Sequence, residues 1–155
     1  MALAYFQALS DHDLERAVGC WASGARQNVR GQVDTIAPEG VREQMMGLLT
    51  AVPDFRFDVL ATATEADRCA VQWRMRGTFA GRGFLYGIRP TGSELDLEGI
   101  DLFTIREGLI RSNDAFSDSM EFTRQIGMMP AQGSGSERFF TALFNLRSRL
   151  RWRRG

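Results

Sequence analysis

The chain has 155 residues, enough for one domain with a substantial core. Hydrophobic residues make up 44% and charged residues 25%, proportions typical of a globular domain rather than a fibrous or disordered chain. The formal net charge is zero, but residues 137–155 carry six arginines and one acidic residue, whereas residues 1–136 carry 13 arginines and 18 acidic residues. A basic C-terminal segment therefore follows a mildly acidic body.

Helical spacing of apolar residues dominates the first third of the chain. It predicts short helices over residues 2–9 and 11–22, a strand around 25–29, and a helix from Pro38 to Val52. The N-terminus lacks the charged start and apolar run of a signal peptide, and no stretch approaches about 18 apolar residues. We therefore expect a cytoplasmic protein that does not span a membrane.

The spacing of apolar residues changes from helical to alternating at Asp54. The alternation predicts four strands, at about 55–61, 69–76, 93–105 and 109–117, with a long glycine-rich loop at 77–92 and a last helix at 119–128. Helices followed by antiparallel strands indicate an α+β fold. We expect N-terminal helices to pack on the concave face of a curved sheet, forming a cone whose mouth admits a ligand.

The segment around Glu107 and Gly108 is typical of a two-residue β-hairpin turn, in which glycine supplies a positive φ. This turn would place Asp101 directly opposite Asp114, on the apolar face of the sheet. Their Cβ atoms would then lie roughly 5 Å apart. Since two buried like charges repel, one carboxyl would keep its proton, and the pair would supply an acid and a base.

Two alternatives to a catalytic aspartate pair come from the same residues. A one-residue shift or a bulge in the hairpin would turn one aspartate towards solvent. An arginine such as Arg74 or Arg76 would neutralise both carboxylates. Asp118 continues the same row as a third catalytic candidate, but it also begins a D-x-x-E sequence, which is typical of a helix N-cap.

Apolar and aromatic residues of the same sheet face and of the glycine-rich loop are the candidate substrate-binding residues. They are Trp73, Met75, Phe103, Phe116, Phe79 and Tyr86. We expect no metal site, because a single histidine, His12, and two distant cysteines do not make a typical ligand set. No phosphate-binding loop is recognisable, so we expect no cofactor.

A series of short motifs resembles one known family in order and spacing. The motifs are His12-Asp13, Pro53-Asp54-Phe55, Gly77-Thr78, Pro90-Thr91-Gly92, Gly108-Leu109-Ile110, Asp118, Arg124-Gln125-Ile126-Gly127 and Pro130. Over about residues 3–130 the chain resembles the SnoaL-like polyketide cyclase branch of the nuclear-transport-factor-2-like superfamily. Its relatives include ketosteroid isomerase and limonene epoxide hydrolase.

The resemblance implies a cone-shaped, commonly dimeric protein that binds a hydrophobic ring-containing small molecule without cofactor or metal. In cyclase-like members an aspartate leading into the last helix acts as acid or base, which implies this role for Asp118. The final strand is similar to that of limonene epoxide hydrolase, which points to Asp114. Phe79 stands where many members have histidine.

The C-terminal segment is predicted to be separate from the cone domain of residues 1–130. Residues 131–136 are typical of a flexible linker, and residues 137–155 predict a basic amphipathic helix with an apolar stripe. Such a helix would lie on an anionic membrane surface, dock into a partner's groove, or pack across the mouth of the cone. The acidic body argues against nucleic-acid binding.

Two functional hypotheses follow. The first is a cofactor-free acid/base enzyme that closes a ring, isomerises its substrate or hydrolyses an epoxide. The second is a non-catalytic module that binds a small molecule or forms a dimer, with its basic tail as a membrane or partner anchor. Fold alone does not separate them.

Overall fold

The computed structural model describes residues 1–152, with side chains to residue 148. Within this part of the chain the helices are α1 Ala2–Ser10, α2 Leu14–Val18, α3 Glu39–Ala51, α4 Ser119–Gln125 and α5 Gly135–Trp152. The strands are β1 Trp21–Val29, β2 Val33–Ile36, β3 Arg56–Glu65, β4 Arg68–Phe79, β5 Ser93–Arg106 and β6 Leu109–Ser117. None of the described helices is both long and apolar enough to cross a membrane.

A single six-stranded sheet forms the centre of the domain, in the order β2-β1-β6-β5-β4-β3. Neighbouring strands are antiparallel except β1 and β6, which are parallel. The predicted α+β class and the mixed sheet are therefore confirmed. The order also brings the N-terminal strand β1 beside the C-terminal strand β6, so residues far apart in sequence share the inner face.

The N-terminal helices cover the inner face of the sheet, as predicted. Tyr5 and Phe6 of α1 both pack edge-on against Phe103 of β5, with ring centroids 6.0 and 6.1 Å apart. Tyr5 also meets Trp21 of β1 at 5.5 Å. Such aromatic contacts bury large apolar areas and fix the angle at which α1 crosses the strands.

The bounds of α2 and α5 are among those that differ from the sequence prediction. The second helix is short because the Asp13 side chain caps it, accepting a hydrogen bond from the Arg16 backbone, and Gly19 ends it. Trp21 therefore belongs to β1 and not to a helix. At the other end, α5 begins at Gly135, inside the segment predicted to be linker.

The predicted hairpin turn is correct. Glu107 and Gly108 have φ angles of 53° and 74°, which is the pair of positive angles that a type I′ turn requires. Ile105 lies opposite Ile110, as the two-residue loop demands. The strands therefore leave the turn in the predicted register.

From the next pair onwards the predicted register is wrong, since Thr104 lies opposite Ser112 and not Arg111. Arg111 is an extra residue in β6, a β-bulge that shifts every later pair by one position. Asp101 consequently lies opposite Ala115, while Asp114 lies opposite Leu102. Because side chains alternate along a strand, the shift puts Asp114 on the outer face of the sheet and leaves Asp101 on the inner face. The two aspartates do not face each other.

Several of the motif residues join elements of the fold. Asp54 accepts hydrogen bonds of 2.7 Å from both the backbone N–H and the hydroxyl of Thr78, which fastens the end of α3 to β4. Gln125 exchanges two hydrogen bonds of 2.9 Å with the backbone of Asp96, which fastens α4 to β5. These hydrogen bonds hold helices α3 and α4 against strands β4 and β5.

Candidate functional site

A largely apolar pocket lies between the inner face of the sheet and helices α1, α3 and α4. The free space of this pocket, including open solvent at its mouth, is about 750 Å³. The apolar walls come from Phe6, Leu9, Val29, Met45, Leu48, Phe57, Met75, Leu85, Leu95, Leu97, Ala115 and Phe122. The polar groups along the wall are few, which makes each of them informative about the ligand.

Asp101 is the acidic residue in this pocket among the described side chains. It is 5% exposed, and both of its oxygens are held. The indole N–H of Trp73 donates to Oδ1 at 2.8 Å, and the Asn113 amide donates to Oδ2 at 2.6 Å. Burial raises the pKa of Asp101 to about 6, although both hydrogen bonds act in the opposite direction.

The Asp101 carboxyl is therefore mainly ionised at neutral pH, and its pKa lies close to that pH. Each oxygen of Asp101 receives one protein hydrogen bond, so further lone pairs remain for a substrate proton. A base whose pKa lies near the working pH combines the ionised state with useful basicity. Asp101 therefore has the environment of a general base.

The approach of Trp73 to Asp101 depends on a glycine. Trp73 on β4 lies opposite Gly99 on β5, and its ring occupies the space that a side chain at position 99 would fill. A Cβ atom built on Gly99 would lie 2.3 Å from Cζ2 of the Trp73 ring. The absence of a side chain thus lets the indole lie across β5 and reach Asp101.

Two tyrosines contribute neutral hydroxyl groups to the pocket wall. Tyr5 is buried below the pocket, and burial strongly raises its pKa. Tyr86 lies at the mouth, where desolvation and then the charge of Asp101 raise its pKa to about 12. Both phenols keep their protons at neutral pH. The Tyr5 hydroxyl donates to the Met45 sulfur at 3.7 Å, so Tyr86 is the better candidate donor to a ligand.

Two glutamines add amide groups whose hydrogen-bonding capacity the protein does not fill. Gln27 of β1 is 2% exposed, and its Oε1 has no partner within the described residues. Oε1 of Gln44 on α3 is in the same situation. Both residues line the pocket. Buried polar groups are nearly always paired, so these two amides are candidates for contacts with a ligand.

The six predicted substrate-binding residues divide into three groups. Trp73, Met75 and Tyr86 line the pocket. Phe79 and Phe103 point inward but are fully buried in the core. Phe116 is on the outer face, 48% exposed, with the Arg30 guanidinium 5.6 Å from its ring centre. The bulge at Arg111 explains this last difference, since it reverses the face of every residue that follows.

Asp114 lies outside the pocket, on the outer face of the sheet. Its Oδ1 accepts hydrogen bonds from Arg30 at 2.7 Å and from Asn28 at 3.2 Å. An arginine therefore does neutralise Asp114, but this arginine is Arg30 and not Arg74 or Arg76. Arg74 and Arg76 pair with other acidic residues of the outer face, Asp96 and Asp58.

Asp118 is the N-cap of α4. Its Oδ1 accepts hydrogen bonds from the backbone N–H groups of Met120 and Glu121, both at 2.9 Å. It borders a shallow groove on the outer side of the sheet with Phe116 and Ile100, not the pocket that holds Asp101. The geometry therefore favours the interpretation of Asp118 as a helix N-cap.

For Asp118→Ala we expect a loss of stability of about 1 kcal/mol, because two backbone N–H groups of α4 lose their acceptor. Urea unfolding of the variant and of Asp118→Ser, which keeps a capping oxygen, measures the difference. We expect Asp118→Ala to retain the ligand binding and turnover of the wild type. A variant with unchanged stability and lost turnover would contradict the capping role.

For Trp73→Phe we expect the pKa of Asp101 to rise above 6, because the ionised carboxylate loses a donor. A hydrogen bond to a charged group is worth about 1.5–3 kcal/mol, which corresponds to about 1–2 pKa units. A carboxyl ¹³C titration by NMR measures this, with the signal identified by its absence in Asp101→Asn. Trp21→Phe is the matched control, since the buried Trp21 N–H has no partner among the described residues. An unshifted pKa in Trp73→Phe would exclude the indole as a stabilising donor.

Sequence reasoning missed several polar residues of the site, among them Asn113, which holds Asp101, and Gln27, Gln44 and Tyr5, which line the pocket. Asn113 was passed over because the predicted register put Asp114 on the inner face instead. Gln27 lies in the segment 23–37, which has little apolar pattern. The available signal was its position between Ala25 and Val29, where a single polar residue interrupts an alternating apolar row.

Comparison with known proteins places this geometry in context. Residues 1–126 match the family model described as SnoaL-like polyketide cyclase. No curated protein sequence matches the chain. Among solved structures, a proposed SnoaL-like polyketide cyclase from Jannaschia sp. CCS1 is 21% identical, with a TM-score of 0.73 over 83% of this chain and 90% of the other.

Two further solved structures are similar to a comparable degree. IdmH, a proposed polyketide cyclase from Streptomyces antibioticus, is 22% identical, with a TM-score of 0.68 over 81% of this chain and 95% of the other. The epoxide hydrolase/cyclase-like enzyme SalBIII, of pyran ring formation in the polyether salinomycin, is 18% identical, with a TM-score of 0.65 over 77% and 89%. At these identities the likeness shows a common fold, the predicted cone.

Proposed function

Because the chain belongs to the SnoaL-like polyketide cyclase family, we propose that it is a cyclase-like enzyme in which Asp101 is the general base. The observation that carries this proposal is a single ionisable carboxylate, 5% exposed, facing an apolar pocket with both oxygens fixed by donors. Its substrate is a hydrophobic small molecule that carries an acidic proton and a second, electrophilic carbon. The product contains a new ring.

The proposed reaction is an intramolecular aldol-type closure. A C–H bond next to a substrate carbonyl loses its proton to Asp101, and the resulting carbanion carbon attacks a second carbonyl carbon. A C–C bond forms, and the second carbonyl oxygen becomes an alkoxide that takes back the proton held by Asp101, which restores the carboxylate. The neutral hydroxyl of Tyr86 supplies a hydrogen bond to the oxygen that gains negative charge.

The single carboxyl group of the pocket favours proton abstraction over epoxide opening. Epoxide hydrolysis by a carboxyl pair needs one carboxylate to activate water and a protonated partner to assist the leaving oxygen. Of the described residues, Asp101 supplies the carboxyl in the pocket wall, while Asp114 and Asp118 are engaged elsewhere. Ring closure needs the base and a hydrogen-bond donor, which are both available.

The two unpaired amides suggest what else the substrate carries. Gln27 and Gln44 lie in the pocket wall, and each has a carbonyl oxygen without a protein partner. An amide offers both a donor and an acceptor, so hydroxyl or keto groups along an otherwise apolar skeleton would complete these hydrogen bonds. A polyoxygenated, ring-forming chain fits this distribution better than a plain hydrocarbon.

The proposal is tested by incubating the full chain with linear polyketone thioester analogues and following cyclised products by liquid chromatography and mass spectrometry. Binding is measured separately, by the thermal shift of the protein with each analogue or its cyclic product. Turnover by the wild type and loss of turnover in Asp101→Asn support the proposal. Tight binding of an analogue by both proteins, with no turnover by either, would identify a binding module instead.

A further inference from the structure

Helix α5 exposes an unusual set of large apolar side chains. Phe139, Phe140, Leu143, Phe144 and Leu146 are between 53% and 69% exposed. At 100° per residue they fall within one side of the helix, which spans a little under half of its circumference. Thr141 and Asn145 lie on the opposite side. A helix with such a face normally has something to cover it.

The body of the domain does not cover this face. The described attachment of α5 is at its start, where Arg124 of α4 donates to Glu137 at 2.8 Å and the Gly133 N–H donates to the same carboxylate at 2.6 Å. None of the described α5 side chains belongs to the core of the domain. Since most helical stability in proteins comes from packing of an apolar face, we infer a partner for α5 outside the domain.

The charge of the segment indicates the nature of that partner. Residues 137–155 contain six arginines and a single acidic residue, Glu137, which already pairs with Arg124. The segment is therefore strongly cationic and complementary to an anionic surface. A second copy of α5 in parallel orientation would bring two sets of arginines together, which disfavours that pairing.

We propose that α5 binds the surface of an anionic lipid membrane, lying parallel to it. The phenylalanine and leucine side chains enter the boundary between headgroups and acyl chains, and the arginines remain at the level of the lipid phosphates. The helix does not cross the bilayer, because it combines few apolar residues with many charges. Since none of the described α5 side chains lines the pocket, this contact is independent of the chemistry at Asp101.

The test is co-sedimentation of the full chain with two kinds of vesicle: neutral phosphatidylcholine, and phosphatidylcholine with about one third phosphatidylglycerol. We expect sedimentation with the anionic vesicles at low salt, and its loss at high salt. Leu143→Gln with Leu146→Gln should weaken this binding by about tenfold or more, because two apolar anchors are lost. Thr141→Gln with Asn145→Gln is the matched control on the opposite side and should bind as the wild type does.

A second pair of substitutions tests the electrostatic part. Each arginine near an anionic surface contributes about 1 kcal/mol, so Arg147→Gln with Arg151→Gln should weaken binding by about tenfold or more. Equal binding to neutral and anionic vesicles would overturn the proposal, as would unchanged binding in the Leu143/Leu146 variant. The proposal would also fail if size-exclusion chromatography showed a dimer of the wild type and a monomer of the Leu143/Leu146 variant, while neither protein sedimented with vesicles. The apolar face of α5 would then bind a second copy of this chain.

Discussion

Asp101→Asn is expected to abolish ring closure while leaving the fold and the pocket intact. Loss of a positioned general base reduces turnover by about 10²- to 10⁴-fold. The amide keeps an oxygen for the Trp73 N–H, and rotation of the Asn113 amide lets its unpaired oxygen accept from the new amide group. Both hydrogen bonds of the site therefore survive the substitution. Comparison of turnover and of ligand binding in the two proteins separates chemistry from recognition.

The pH dependence of the wild type provides a second readout of the same group. The active form of a general base is the ionised one, and the pKa of Asp101 is raised to about 6. Turnover of the free enzyme should therefore rise between about pH 5 and 7 and level off above it. Trp73→Phe should move this acidic limb to higher pH. A limb near pH 4 would show that a different, less buried carboxyl controls the rate.

Asp101→Asn should also make the protein more stable at neutral pH. Burial raises the pKa of Asp101 above its value in the unfolded chain, so the folded state favours the protonated form. The stability that this group contributes is present below about pH 4 and is lost as the pH rises through about 6. A shift from 3.8 to about 6 corresponds to about 3 kcal/mol at pH 7.

Urea unfolding at several pH values measures this difference. The gap in unfolding free energy between the variant and the wild type should be largest at pH 7 and should shrink towards pH 4. Ala115→Ser, on the same inner face but without a charge, serves as a control for a polar change in the pocket wall. A variant that is less stable than the wild type at pH 7 would mean that the ionised carboxylate stabilises the fold.

Much of the fold was predictable because its strongest signals are local. Alternation along β4 placed Trp73 and Met75 on the inner face without reference to any other strand. The turn at Glu107 and Gly108 was also recognisable from its own residues. The motif residues indicated the family. Asp54 is an example, because its hydrogen bonds to Thr78 join elements of the fold and do not form the pocket.

The site was predicted less well because it depends on contacts between distant strands. The bulge at Arg111 occurs where β1 joins β6, and the Ile110 N–H donates to the Cys20 carbonyl at 2.9 Å. No sequence feature near Arg111 predicts a β-bulge at this position. One shifted position was enough to exchange Asp114 for Ala115 opposite Asp101, which removed a carboxylate pair and left a single base.

Burial depth was a further property that the alternating pattern did not supply. Phe79 and Phe103 lie on the predicted face, yet both are fully buried in the core. Trp73 is on the same face and reaches the pocket, since Gly99 leaves room for its ring. An alternating pattern shows the direction of a side chain, whereas its depth depends on which residues of other strands and helices cover it.

Gly99→Ala should be one of the most damaging small substitutions in the chain. The added methyl group would lie 2.3 Å from Cζ2 and 2.7 Å from Cη2 of the Trp73 ring, and 2.6 Å from the Phe116 carbonyl oxygen. The ring cannot simply move away, because it packs edge-on against Phe57 with centroids 5.2 Å apart. Overpacking of this kind costs about 1–3 kcal/mol in unfolding free energy.

The same substitution should also disturb Asp101, although the two side chains do not compete for space. Displacement of the Trp73 ring lengthens the 2.8 Å hydrogen bond to Oδ1, so the pKa of Asp101 should rise above 6. Gly47→Ala is the matched control. Nothing lies within 4 Å of a Cβ atom at this position in α3, and alanine favours a helix, so its stability should rise by up to about 1 kcal/mol.

A double-mutant cycle separates the collision with the indole from the collision with the backbone. In a Trp73→Phe background the ring atoms Cζ2 and Cη2 are absent, while the Phe116 carbonyl remains. Gly99→Ala should therefore cost clearly less in that background than in the wild type, and the difference measures the coupling between positions 73 and 99. Equal costs in both backgrounds would assign the damage to the backbone of β6. Position 99 would then control the pairing of β5 with β6, and Asp101 would keep its pKa near 6 in the single variant.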